Sequence, residues 1–274
     1  MISVLDVPSA TRATGNLFLD NLPAAATDTL QPSLSRVSLK RGRAIYERDA
    51  VIDAVFFPIN SIISVVLDMS DGETAEVGII GREGMTGLPL ALGQSTSKQR
   101  TLVQVPDSGY CMSAADFLAA LEREPKLIAF ALRYAQATLM VSAQLSACNS
   151  LHPTDERCAR WLLMAHDRID DDLVLLTQEF LSQMLGVRRG GVTIAASSLQ
   201  QAGFISYSRG HITIRNRSGL ESASCECYEI IERDWKEIMG YPIGRRRSTS
   251  ELIRPDGHAA QRLDGAASLP AESK

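Results

Sequence analysis

The segment TQEFLSQMLGVRRGGVTIAASSLQQAGFISYSRGHITI, Thr177 to Ile214, constrains this chain more than any other stretch. Thr177 is a good helix N-cap, and Phe180, Leu181, Met184 and Leu185 share one face of the helix it would open. Gly186 breaks that helix. A second helix, from about Arg188 to Ala202, carries Val192, Ala195, Ala196 and Leu199 at i, i+3, i+4 and i+7. This inward stripe leaves Arg188, Arg189, Thr193 and Ser197 facing outward. Gly203 ends the helix in the usual way. Two β-rich runs around Ser208-Arg209-Gly210 follow and read as a hairpin wing. The unit is a helix-turn-helix with a wing, whose second helix suits a DNA major groove.

Charge supports this reading only when it is taken locally. The chain has 28 Lys and Arg against 32 Asp and Glu, a net charge of −4, which gives no whole-chain sign of nucleic acid. Between Thr177 and Arg217, however, five arginines (Arg188, Arg189, Arg209, Arg215, Arg217) stand against one acid, Glu179. That local excess is an electrostatic footprint for a polyanion.

Other classes find less support. The five cysteines (Cys111, Cys148, Cys158, Cys225, Cys227) are scattered and lack a paired CxxC arrangement, which fits a reduced, cytoplasmic setting without cofactor or metal. Cys225-Glu226-Cys227, read as helical, would project its two thiols to different sides. The N-terminus has no basic region leading into an apolar core, so no secretory signal is expected. The apolar run from Ile128 to Ala147 is interrupted by Arg133, Gln136 and Gln144, so no membrane span is expected. His166-Asp167 reads as a surface helix pair without a nucleophile nearby, and Asp170-Asp171-Asp172 as a solvated turn. No catalytic constellation emerges. Arg245-Arg246-Arg247 adds either nonspecific DNA affinity or solvated tail.

At 274 residues the chain has room for two domains. Short apolar runs broken by turn residues extend from about Val37 to Met112 and predict a small antiparallel roll, with a hairpin at Asp71-Gly72. After Pro125, more than twenty residues lack Gly and Pro. There Ile128, Leu132, Ala135 and Leu139, at spacings of four, three and four, form the seam of a helix that packs on another helix. Leu151-His152-Pro153 is a joint, because the residue before proline leaves helical geometry. The expected fold class is α+β: a roll over 20–124, a long helix over 125–150 that packs either on its own domain or, as a dimerisation helix, on a second copy, a winged helix-turn-helix over 151–235, and a flexible tail over 244–274.

This order of parts, with TQEFLSQMLGVRRGGVTIAASSLQQAGFISYSRGHITI at its end, resembles the Crp/Fnr transcription regulators. The resemblance implies a cyclic-nucleotide-binding-like roll, a homodimer, and a palindromic operator on double-stranded DNA. RNA polymerase and a small-molecule effector are further partners compatible with it. Arg189 falls where the family's base-reading arginine stands, able to bond guanine bidentately, and Ser208, Arg209 and His211 fall where the family touches phosphate. Thr177, Gln178, Arg188, Gly190, Thr193 and Ser197 complete the candidate DNA-binding set. The family's ligand cassette would map onto Gly84, Met85, Thr86, Arg100 and Thr101. Here Met85-Thr86 replaces the Gly-Glu pair that serves the ribose, so control by cyclic AMP is not expected. The alternative is a ligand-sensing protein that acts on a protein partner without binding an operator.

Overall fold

The computed structural model describes residues 4–5, 13–208 and 210–244, apart from the side chains of Val4, Leu5, Gln178 and Arg189. Arg209, Arg245, Arg246, Arg247 and the rest of the expected tail lie outside the described residues.

The chain begins with β1 (Val4–Leu5), α1 (Leu17–Asp20), α2 (Ala24–Leu30), β2 (Ser35–Leu39), β3 (Ala44–Tyr46), β4 (Ala54–Pro58), β5 (Ile62–Asp68), β6 (Thr74–Ile80), α3 (Leu88–Ala91), β7 (Arg100–Val105) and β8 (Asp107–Ser113). The strands form two four-stranded antiparallel sheets, ordered β1-β2-β8-β4 and β3-β7-β5-β6. Val37, Leu39, Phe56, Ile63 and Val103 fill the space between them. Gly72 takes a φ of 85° in the β5–β6 turn, which requires a residue free of Cβ conflict.

Helices follow: α4 (Ala114–Arg123) and α5 (Pro125–Leu151). Pro125 at the first position of α5 loses no hydrogen bond there, and the Glu124 side chain accepts from the Lys126 N–H. The helix stops at His152, whose ψ of 147° is the extended geometry that Pro153 imposes. Leu127, Phe130, Ala131, Tyr134 and Ala137 face inward. Phe18 meets Phe130 and Tyr134 edge-on, with ring centroids 5.0 and 5.4 Å away. The expected seam lies on the other side, where Ile128, Leu132 and Leu139 are 38%, 48% and 71% exposed and Ala135 is half-buried.

The C-terminal part comprises α6 (Thr154–His166), β9 (Leu173–Leu175), α7 (Gln178–Leu185), α8 (Arg189–Gln201), β10 (Ile205–Ser208), β11 (His211–Ile214), α9 (Arg217–Ser222) and α10 (Cys227–Met239). Helix α10 returns along α5, with Trp235 edge-on to Tyr134 at 5.9 Å. Among the described residues no helix is long and apolar enough to cross a membrane.

This module is docked on the roll. The Arg168 guanidinium meets the Glu83 carboxylate at 2.9 Å with both side chains 2% exposed, and both Glu83 oxygens accept from the Gly81 N–H. Arg82 donates to the Arg168 carbonyl at 3.0 Å and pairs with Asp170 at 2.9 Å, so the aspartate run is not merely a solvated turn. The flanking glycines permit the approach, since a Cβ on Gly81 would sit 2.7 Å from Arg168 Cγ and one on Gly84 would meet the Tyr134 ring.

Glu76 of β6 sits beside this junction. It accepts from the Trp161 indole N–H at 2.8 Å through Oε1, while its Oε2 is buried without a hydrogen-bond partner. Burial pushes its pKa up to about 7. A carboxyl that binds its proton more tightly in the folded state stabilises the fold below its unfolded pKa, and this contribution is lost as pH rises through the folded value. Glu76→Gln, which keeps an acceptor for Trp161, is expected to raise stability above about pH 7 by roughly 1–3 kcal/mol and to change it little near pH 4. Urea unfolding at both pH values checks this, and an equal effect at both would show that desolvation of the carboxylate is not the cause.

Candidate nucleic-acid interface

Helix α7 opens as expected, with the Thr177 hydroxyl accepting from the Phe180 N–H at 3.3 Å. Leu181, Met184 and Leu185 are buried. Gly186 closes it in the left-handed region, with φ 60° and its N–H on the Ser182 carbonyl. The turn is held by the Ser182 hydroxyl, which donates to the Val187 carbonyl at 2.5 Å. Arg188 is the extended N-cap of α8 and offers no side-chain cap, so the first amides of α8 depend on backbone partners such as Gly191 N–H on the Arg188 carbonyl at 2.9 Å.

Val192, Ala195, Ala196 and Leu199 are all buried against α6 and α7, as their spacing predicts. The opposite face presents Arg188, Gly190, Thr193 and Ser197 to solvent. It also presents Ile194, which is 73% exposed. The sequence reading leaves Ile194 out, because it weighs only the inward stripe and the polar positions; its place one residue after Thr193 was the available signal. An exposed aliphatic group among polar neighbours suits a thymine methyl.

Strands β10, β11 and β9 make a three-stranded antiparallel sheet in that order. Ile205, Ile212 and Ile214 anchor it in the module, while Ser208 and His211, paired across the hairpin end, are exposed. The Gly210 carbonyl accepts from the Leu176 N–H at 2.7 Å, tying the wing to the residue just before Thr177. The wing tip therefore stands near the start of α7.

Residues 156–223 match the family model described as the Crp-like helix-turn-helix domain. The chain carries a Crp-like helix-turn-helix. This is a DNA-binding, transcription-regulating type of module. The rest agrees in fold. FixK2 from Bradyrhizobium japonicum superposes with a TM-score of 0.55 at 17% identity, over 70% of this chain and 98% of that one. A CRP-family transcriptional regulator from Thermus thermophilus gives 0.55 at 16%, over 68% and 95%. The c-di-GMP responsive global regulator CLP of Xanthomonas campestris gives 0.55 at 12%, over 70% and 99%. No curated protein matches the chain in sequence. The roll and the Crp-like module thus have the Crp/Fnr arrangement.

Several expectations need correction within this fold. Arg217 does not belong to the surface footprint: it is 2% exposed and pairs with Asp167 at 2.6 Å and Glu221 at 2.9 Å. His166 and Asp167 are not a surface pair but are buried in the same network. His166 accepts from Arg217 at Nδ1 and donates from Nε2 to Asp172 at 2.8 Å, and burial holds its pKa below the ordinary value. Tyr228 donates to Asp167 at 2.8 Å. Cys225 precedes α10 instead of lying on it, so the helical spacing argument does not apply to the Cys225-Glu226-Cys227 stretch.

Of the expected ligand cassette, Arg100 alone borders the cavity between the roll and α7. Met85 and Thr86 are buried, the Thr86 hydroxyl lying 2.8 Å from the Tyr46 hydroxyl and accepting from the Phe56 N–H. Gly84 backs onto Tyr134, and Thr101 is buried in β7. Arg100 instead grips Asp68 through two hydrogen bonds of 2.8 and 2.6 Å, holding that carboxyl well below the ordinary range, at about 2. Arg100 borders a cavity of about 360 Å³ between the roll and α7, together with Arg41, Thr177, Phe180 and Gln183. Gly84, Met85, Thr86 and Thr101 do not line it.

Gly190 and Gly191 lie in the first turn of α8. A Cβ on Gly190 would meet nothing within 4 Å, and one on Gly191 would touch Val187 at an ordinary 3.6 Å. Gly190→Ala with Gly191→Ala is therefore expected to stabilise the chain, by up to about 2 kcal/mol. Thermal melts check the gain. A lowered melting temperature would refute unstrained helical placement of both residues.

Proposed function

We propose that the chain is a sequence-specific transcription regulator that binds a palindromic operator as a homodimer, without control by cyclic AMP. The single observation that carries the reading is the outward face of α8, where Arg188, Gly190, Thr193, Ile194 and Ser197 are exposed beside an exposed wing end at Ser208 and His211. Arg189 and Arg209 extend that surface in sequence, Arg189 as guanine reader and Arg209 as phosphate contact. Thr177 and Gln178 sit at the start of α7, where a backbone phosphate would approach helix amides.

Dimerisation is supported by the stripe of Ile128, Leu132 and Leu139 on α5, apolar groups that the described chain leaves substantially exposed. A second copy laid along the same stripe buries them in a two-fold seam. Independence from cyclic AMP is supported by two features. Met85-Thr86 supplies no carboxylate, and the Arg100 guanidinium is held by Asp68. A cytoplasmic location and contact with RNA polymerase follow from the role proposed, as does some other small-molecule effector.

Selection of bound sequences from a random duplex pool tests the proposal. The expected result is a two-fold symmetric site with half-sites about 34 Å apart. Arg189→Ala should cost on the order of 1–3 kcal/mol and relax one base pair per half-site. Recovery of no consensus would overturn operator binding and favour a regulator acting on a protein partner. In the same titrations, cyclic AMP should change affinity less than about threefold.

A further inference from the structure

We propose that Cys148, His152, Cys225 and Cys227 form a binding site for a zinc-like divalent ion that fastens α10 to the end of α5. One ligand atom from each of the four residues comes together so that all lie within 4.8 Å of one another. Cys148 Sγ is 3.4 Å from Cys225 Sγ, and Cys227 Sγ is 3.5 Å from His152 Nδ1. Two thiolates bound tetrahedrally at ~2.3 Å from zinc stand about 3.8 Å apart, so these donors are already near the edges of a single-ion tetrahedron. Three sulfurs and one imidazole are a set that structural zinc sites use. The closeness of all four donors favours one ion over an iron-sulphur cluster, whose thiolates are spread over separate irons.

Local geometry explains the convergence. Cys148 and His152 are four residues apart at the C-terminal end of α5, one turn above the other, with His152 as its C-cap. Cys225 precedes α10 and Cys227 begins it, with Glu226 in helical geometry between them. The three cysteines are buried in contact with one another, and all are free thiols.

The surroundings are those of a ligand site and not only of a thiol pair. The Glu226 carboxylate lies 4.0 Å from His152 Nε2, on the ring nitrogen that faces away from the cluster. A carboxylate hydrogen-bonded behind a metal-binding histidine orients the ring and raises its basicity, and Glu226 stands within ion-pair, not hydrogen-bond, reach of that nitrogen. The Gln144 amide donates to Cys227 Sγ at 3.1 Å, which favours a sulfur carrying negative charge. Entry is open through a cavity of about 520 Å³ bordered by His152, Glu156, Ser224 and Cys225. On binding, the three thiols release their protons to solvent and coordinate as thiolates, while the imidazole binds neutral. A disulfide between Cys148 and Cys225 would use only two of the four donors and would account for neither His152 nor Glu226.

The test is metal retention by the full chain, purified with a reductant, exposed to zinc and passed through gel filtration. About one zinc per chain is expected to remain, and cobalt(II) should give thiolate charge-transfer and tetrahedral visible bands. Cys225→Ser and Cys227→Ser should each weaken zinc by more than tenfold in competition with a chromophoric chelator. Glu226→Gln, a change at an exposed side chain, should weaken it about tenfold. Cys111→Ser, outside the cluster, should not. A reduced wild-type chain that retains no zinc, or that loses as much with Cys111→Ser as with Cys225→Ser, would overturn the proposal. So would retention unchanged by Glu226→Gln together with Cys227→Ser, and so would a Cys148–Cys225 disulfide in a chain that takes up no metal when reduced.

Discussion

The buried pair of Glu83 and Arg168 sets the relation between the two halves of the molecule. Each charge is almost fully removed from water, which is costly unless geometry and extra hydrogen bonds compensate. Compensation is present on both sides: Glu83 accepts from the Gly81 amide, and Arg168 also donates to the Met164 carbonyl at 2.7 Å. Such a pair contributes little to net stability compared with apolar residues of the same shape, but any shifted docking would strand a buried charge. Its worth lies in selecting one arrangement of roll and winged module.

That selection also explains what became of the segment around Gly81 to Thr86. In the resemblance read from sequence this region serves a ligand; in the fold its charged residues serve the junction. Arg82 and Glu83 face the C-terminal module, and the Tyr241 hydroxyl donates to the Glu83 carbonyl at 3.0 Å. Arg100, from the expected cassette, is likewise engaged within the protein, paired with Asp68 in a partly exposed contact.

A second internal network, built from Arg217, Asp167, His166, Asp172 and Tyr228, stiffens the wall on which α8 rests. It draws Arg217 inward, so the electrostatic surface is smaller than a count along the chain suggests. Of the described arginines in that segment, Arg188 at the start of α8 and Arg215 after the wing remain exposed. Ile194 is the large apolar side chain exposed on the outward face of α8.

The sequence by itself determined every feature that follows from local periodicity or from the backbone preference of one residue. The inward stripe of Val192, Ala195, Ala196 and Leu199, the stop at Gly186, the break before Pro153 and the hairpin at Asp71-Gly72 were all legible, because each depends on neighbours within a turn or two. Tertiary structure alone decided which side chains, distant in sequence, would share a desolvated space. Charge counting along the chain could not send Arg217 inward, and spacing could not show that Cys225 and Cys227 would meet Cys148 and His152 across an intervening domain. The physical reason is that burial and coordination are properties of a packed volume, and the packing that brought these groups together is set by the return of α10 along α5.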